Sequence, residues 1–193
     1  MGIVTSVTMP IGIFQVVYSH LKIFSIWIGS EVKTIGDRTL TLRIDGEVDR
    51  PGELTYAELV AFDEKYQIVD IHQIDPRWRG DAIKLAGLLL YVGVAKTADY
   101  LGLHSSHDDF HASIPLETVL DRAFLIYRID GQPLPLKRGG PIRFAIPDFA
   151  ACHTDEIDEC ANVKFVDHIE LTVGKGFDNR PEDDQEHEAL HRK

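Results

Sequence analysis

The stretch "DGQPLPLKRGGPIRFAIPDFAACH" (130–153) gathers Lys137, Arg138 and Arg143 around Gly139-Gly140-Pro141, then supplies Cys152 and His153. Guanidinium groups present paired N–H donors that match phosphate oxygens. Glycines without Cβ atoms let the main chain approach the same guest, and Pro141 stiffens the exit. This run reads either as a holder for one small anion or as solvated surface charge and strand-end ion pairing. Cys152, His153 and Cys160 raise a second chemistry, because Cys-His-x6-Cys offers sulfur and imidazole that zinc accepts. Cys-x7-Cys is not a knuckle spacing, and a fourth ligand would have to come from elsewhere, with His104, His107 and His111 as the natural candidates if their loop folds nearby. A loop-closing disulfide and unpaired structural thiols are the other readings of these cysteines, the disulfide being disfavoured in a cytoplasm. A third group is "HSSHDDFH" (104–111), whose His107 and His111 carry imidazoles, side chains able to serve as acid or base. No nucleophile with an oriented base accompanies them, and a plain polar loop is the simpler reading.

The elements that must position these groups follow from periodicity and turn signals. "RTLTLRIDGEV" (38–48) alternates as a strand and ends at Asp45-Gly46. "RPGELTYAELVAF" (50–62) reads as a turn and a short helix, with Thr55 as N-cap and Glu58 as its capping-box partner. "YQIVDIHQI" (66–74) is expected as a strand with Ile68, Asp70, His72 and Ile74 on one face. "DPRWRG" (75–80) is a turn, and "DAIKLAGLLLYVGV" (81–94) has helical spacing from an Asp81 N-cap to a Gly93 stop. "SIPLETVLD" (113–121) contains a brief helix near Pro115. "AFLIYRIDGQPL" (123–134), "PIRFAIP" (141–147) and "VKFVDHIELTV" (163–173) are further strands. Strands with a few short helices interspersed give the α+β class.

Composition narrows the functions. A net charge of -11 over 193 residues argues against nucleic acid and against anionic membranes. The partner expected is instead a small anionic ligand or cofactor, held by the local basic cluster. The apolar segment "IGIFQVVYSHLKIFSIWIG" (11–29) carries His20 and Lys22 near its middle and lacks a basic flank, so it reads as a hairpin or as sequence outside the core rather than as a span. A cytoplasmic setting is the corresponding expectation. Residues 1–36 are expected as an N-terminal extension, 37–174 as the domain, and 175–193 as a solvated charged tail.

"RIDGEVDRPGELTYAEL", "RWRGDAIKLAGLL", "FHASIPLETVLD", "YRIDGQPLPLKRGGPIRFAIP" and "NVKFVDHIELT" occur in the order seen in oxidoreductase molybdopterin-binding domains. The chain thus resembles the sulfite-oxidase-fold proteins, which include the catalytic subunits of bacterial methionine-sulfoxide reductases. The resemblance covers residues 38 to 174 and is most specific from Asp130 to Pro147. It implies mixed sheets with a β-barrel-like core, short helices, and a molybdopterin pyrophosphate held among loops. By motif position Arg143 matches the family arginine of "Gly-Pro-x-Arg", and Lys164 matches the lysine of the closing strand. Arg138 stands where the family usually has Asn or His, beside Gly139 and Gly140. In the family the loop before "SIPLE" borders the active-site mouth, which implies that His111 and Ser113 face it.

Two departures bear on function. Family enzymes bind molybdenum through a cysteine upstream of "Trp-x-Gly", yet "YQIVDIHQIDPRWRG" contains none, and soft sulfur is not freely replaced by oxygen or imidazole. Asp70 and His72 could be imagined as substitutes, but a polar face on an edge strand explains them better. The family's Gly-Phe-Lys segment is replaced by "CHTDEIDECANVKF", whose Asp155, Glu156, Asp158 and Glu159 would oppose a phosphate. The expectation is a molybdopterin-binding oxidoreductase-like domain with atypical or absent molybdenum ligation. The alternative is a catalytically silent relative that binds another anion or zinc, or acts as an interaction module.

Overall fold

Alternation along each strand builds two sheets that share one apolar core, as the computed structural model shows for residues 41–148, 150–154 and 156–181. The apolar segment 11–29, Arg38–Leu40 of the expected first strand, Asp155 and residues 182–193 lie outside the described residues.

The first sheet has five strands in the order β2 (Gly52–Thr55), β1 (Thr41–Gly46), β10 (His168–Thr172), β5 (Tyr100–Ser105), β6 (Phe110–Pro115). β1 and β10 run parallel and the other neighbours antiparallel, so this sheet is mixed. The second is antiparallel: β3 (Gln67–Ile68), β4 (Asp81–Lys84), β7 (Phe124–Ile129) and β8 (Gln132–Pro133), with β9 (Arg143–Ala145) also pairing β7. Leu42, Ile44, Leu101, Leu103, Ile114, Ile169 and Leu171 from the first sheet meet Ile83, Leu125, Tyr127 and Phe144 from the second. Successive side chains point to opposite faces, so Arg43, Asp45, His104, His111, Ser113, His168 and Glu170 share the outer face of the first sheet. A smaller cluster of Ile71, Trp78, Ala82, Ile126, Leu134 and Ala145 covers the outer face of the second.

Three short helices complete an α+β fold: α1 (Tyr56–Val60), α2 (Leu85–Val92) and α3 (Leu116–Val119). Thr55 caps α1 in a full capping box with Glu58, and Gly93 ends α2 in the left-handed region, both as the sequence predicts. The helix expected from Asp81 starts four residues later. Asp81–Lys84 is instead a strand, because its backbone pairs with both β3 and β7. Asp81 caps nothing; its carboxylate takes Arg128 Nε at 2.7 Å and Asp70 N–H at 2.9 Å.

The strand expected over 66–74 also shortens, to Gln67–Ile68. Asp70 adopts φ 54°, and a 3-10 turn follows at Ile71–Gln73. The chain cannot stay extended there because Ile71 is drawn inward to full burial and bonds Gly80 O at 2.8 Å. The first part of the expected tail is only partly solvated, with Lys175, Phe177 and Asn179 exposed and Gly176, Asp178 and Arg180 half-buried between them. The Arg180 side chain is buried in an ion pair with Asp178 at 2.7 Å, so residues 175–181 form a strap against β6. Among the described residues no helix is long and apolar enough to cross a membrane.

Candidate anion site around Arg143

Arg143 opens β9 on the side opposite Phe144, and its guanidinium carbon lies 4.3 Å from the centre of the Trp78 ring. Nη1 reaches the Arg138 carbonyl at 3.5 Å, while the buried Nε has no hydrogen-bond partner. Burial alone pushes the guanidinium pKa down, with no neighbouring carboxylate raising it. Among the described residues it forms no ion pair, although the chain carries eleven more acidic than basic charges. Withdrawing a cation from water without a counter-charge is unfavourable. The Trp78 face offsets part of that cost, about 0.5–2 kcal/mol. The remainder is what an incoming anion would relieve.

Local structure fixes both partners. Trp78 ends a loop pinned by Arg77, whose guanidinium forks onto Asp75 (Nε–Oδ1 3.0 Å, Nη2–Oδ2 2.6 Å) and reaches the Pro147 carbonyl after β9. Gly139 has φ 88°, and a Cβ there would press on Lys164 Cγ at 3.1 Å and Arg143 Cδ at 3.2 Å. At Gly140 a Cβ would lie 1.8 Å from Leu134 O, so no other residue fits without moving the backbone. Phe165 N–H bonds Gly139 O, Val166 N–H bonds Ile142 O, both at 2.8 Å, and Phe144 N–H bonds Val163 O at 2.9 Å. These bonds lay the Lys164 stem along Gly139 while its ammonium end stays exposed, as does Arg138. Arg138, Gly139, Gly140, Arg143 and Lys164 are thus neighbours in the structure.

His111 and Ser113 join a different group. Ser113 is fully buried under the strap, where its hydroxyl accepts Gly176 N–H at 2.8 Å. His111 Nδ1 lies 2.9 Å from His104 Nδ1, and its ring packs on Phe177. His107 is the member of the histidine loop that approaches the basic segment, its ring 4.4 Å from that of Phe165 beside Lys164. Sequence reasoning missed Trp78 as the arginine's platform, although "RWRG" marks the tryptophan. It also missed His168 and the pairing of His104 with His111, which depends on strand register and leaves no local signal.

The expected metal group is not assembled. Cys152 Sγ is buried against Thr118 O at 3.7 Å, whereas His153 is exposed on a left-handed residue, φ 52°. Cys160 N–H is capped by Asp158 at 2.9 Å, and both thiols are free. The left-handed turn at His153 directs consecutive side chains apart, and among the described residues no three His, Cys, Asp or Glu side chains could hold an ion. Two of the acids expected to oppose a phosphate are engaged elsewhere, and Asp155 lies outside the described residues. Glu156 accepts Tyr100 OH at 3.1 Å, and Asp158 caps Cys160 and sits 3.4 Å from Arg180.

Residues 30–175 match the oxidoreductase molybdopterin binding domain. The chain belongs to this family. It is 28% identical over 113 residues to the uncharacterized oxidoreductase YuiH of Bacillus subtilis (strain 168), covering 55% of this chain and 56% of that protein. The sulfane dehydrogenase SoxCD from Paracoccus pantotrophus shares the fold, with a TM-score of 0.52 and 19% identity over 70% of this chain and 38% of that one. The chain therefore spans about half the length of the curated relative it matches.

The family's cofactor fits one half of this site. The unpartnered Arg143 Nε and the Cβ-free turn suit the phosphate of a molybdopterin, which Arg143, Lys164, Arg138 and the Gly139-Gly140 backbone would hold. The metal half does not fit. "YQIVDIHQIDPRWRG" has no sulfur, and its polar side chains are engaged: Gln67 bonds Leu59 O and Tyr127 OH, Asp75 pairs Arg77, and His72 Nδ1 meets Pro76 O at 3.1 Å.

Proposed function

We propose that this domain binds the phosphate-bearing pterin of its family around Arg143 but does not ligate molybdenum through a protein thiolate. The observation that carries this reading is the Arg143 guanidinium, half-buried on Trp78 with its buried Nε unpartnered and no carboxylate beside it. A structural arginine would be expected to recruit one of the chain's 31 acidic residues. Molybdopterin supplies a dithiolene-bound metal for redox chemistry when loaded. Arg143, Lys164 and Arg138 would hold its anionic end beside the Gly139-Gly140 backbone. A second reading, favoured by the absent thiolate, is a catalytically silent relative that keeps the same basic group for another small anion.

The test is to purify the full chain from a host that makes the cofactor, measure molybdenum by elemental analysis, and read pterin fluorescence after denaturation. The expected result is released pterin near one equivalent, with molybdenum well below it. Stoichiometric molybdenum would overturn the ligation claim. Absence of pterin, with inorganic phosphate still binding in an Arg143-dependent way, would establish the silent reading instead.

A further inference from the structure

Arg43, His168, His104 and His111 lie in one register across β1, β10, β5 and β6, on the outer face of the first sheet. The rings touch in sequence, His168 to His104 at 4.8 Å and His104 to His111 at 5.1 Å between centres. Carboxylates close both ends. Asp45 Oδ1 is 2.7 Å from His168 Nε2, and Asp109 Oδ1 is 3.1 Å from His111 Nε2. In the middle, His104 is buried, and its Nε2 lies 3.5 Å from Glu170 Oε2.

The His104 Nδ1–His111 Nδ1 separation of 2.9 Å is a hydrogen bond, so one nitrogen carries a proton and the other a lone pair. If both rings were cationic, two N–H groups would face each other at that distance. The row therefore accepts one proton on this pair and rejects a second unless the rings part.

His111 also anchors the strap. Its carbonyl accepts Asn179 N–H at 3.0 Å, its N–H donates to Asn179 Oδ1 at 2.7 Å, and Phe177, itself 62% exposed, lays its ring 4.8 Å from the imidazole. Gly176 N–H and Arg180 bind Ser113 two residues along the same strand.

We propose that the His104–His111 pair is a pH-sensitive latch for residues 175–181, closed while the pair shares one proton and released when both rings are protonated. This does not depend on what Arg143 holds. Burial pushes the His104 imidazole below the ordinary histidine value of 6.5, and the charges of His168 and His111 push it the same way, while Glu170 opposes them. The closed arrangement is thus favoured at neutral pH. It weakens as the pH falls from about 6.5 through the depressed value, because the open form binds the extra proton more readily. The other charges facing the pair are Arg43 and Asp45 on β1, Asp109 in the hairpin, and Asp167, which accepts Ser106 N–H and whose own N–H bonds His104 O. Within the strap, Lys175 and Arg180 are neutralised by Asp178.

The experiment is amide hydrogen exchange on the full chain at about pH 8 and about pH 5, corrected for intrinsic rates, the range over which histidine charge changes. Protection of the Asn179 and Gly176 amides is expected to fall at least about threefold relative to core amides such as Ile169 and Leu171. His104→Asn keeps a donor near the Nδ1 position but does not titrate, and is expected to abolish the pH dependence. His107→Gln, outside the row, is expected to retain it. Should His104→Asn not fold, imidazole titrations of the wild-type chain by NMR are expected to show two coupled steps for His104 and His111. Constant strap protection across the range, wild-type behaviour in His104→Asn, or independent titrations would each overturn the latch.

Discussion

Replacing Arg143 by methionine separates the cost of holding this cation from its use. The substitution keeps an unbranched apolar stem against Trp78 and removes the charge. Without ligand, two effects oppose each other. Loss of the ring contact costs about 0.5–2 kcal/mol, and relief of an uncompensated buried charge returns an amount of similar size. The unliganded variant is therefore expected within about 1 kcal/mol of wild type, or above it, in urea unfolding. Binding should behave differently. A charge-assisted hydrogen bond to phosphate contributes about 1.5–3 kcal/mol, so its loss weakens the Kd by roughly 10- to 150-fold. Calorimetric titration with inorganic pyrophosphate, and the pterin content of protein made in a cofactor-producing host, read this directly. Arg143→Lys should fall between, keeping the charge without the planar fork. The reasoning is refuted if Arg143→Met unfolds the domain by more than about 3 kcal/mol, the signature of a broken structural pair, or if pyrophosphate affinity changes by less than about twofold.

Gly140→Ala should lose more than about 3 kcal/mol, because its Cβ would sit 1.8 Å from Leu134 O and the turn must move; urea unfolding within about 1 kcal/mol of wild type would contradict the close approach. Burial alone would raise the Asp178 carboxyl, but hydrogen bonds from Arg180, aided by Lys175, outweigh it and hold the pKa at about 2 against an ordinary 3.8. This stabilisation is present above about pH 4 and is lost as the pH falls from about 4 to about 2. With the Asp178 and Arg180 side chains both buried, the shift corresponds to about 2 kcal/mol. Asp178→Asn should remove that much at neutral pH and flatten the acid slope of the melting temperature. Thr55→Ala should cost about 1 kcal/mol by breaking the α1 capping box, without altering anion binding.

The features legible from sequence are those decided within a few residues. Thr55 and Glu58 meet across one turn, Gly93 supplies a left-handed stop, and Asp130-Gly131 adopts positive φ at both positions to join β7 to β8. The basic group around Gly139 was legible for the same reason, since Arg138 to Arg143 span six positions; Lys164 was placed by motif, not by proximity. The misreadings share an opposite cause. Asp81–Lys84 has helical spacing, yet hydrogen bonds from β7, more than forty positions away in the chain, outweigh that preference. Asp70 breaks an alternating run because Ile71 is pulled into the core.

From its own residues the chain determined a strand-rich α+β domain, a run of basic residues around a Gly-Gly-Pro turn, and the absence of cysteine before Cys152. Tertiary packing alone decided that Arg143 would lie on Trp78 without a counter-ion, that Cys152 and His153 would face apart, and that three histidines from different strands would line up in one row. The physical reason is range. Capping and turn geometry are local free energies written in adjacent side chains, whereas burial and register are set by partners that only a closed sheet brings within reach.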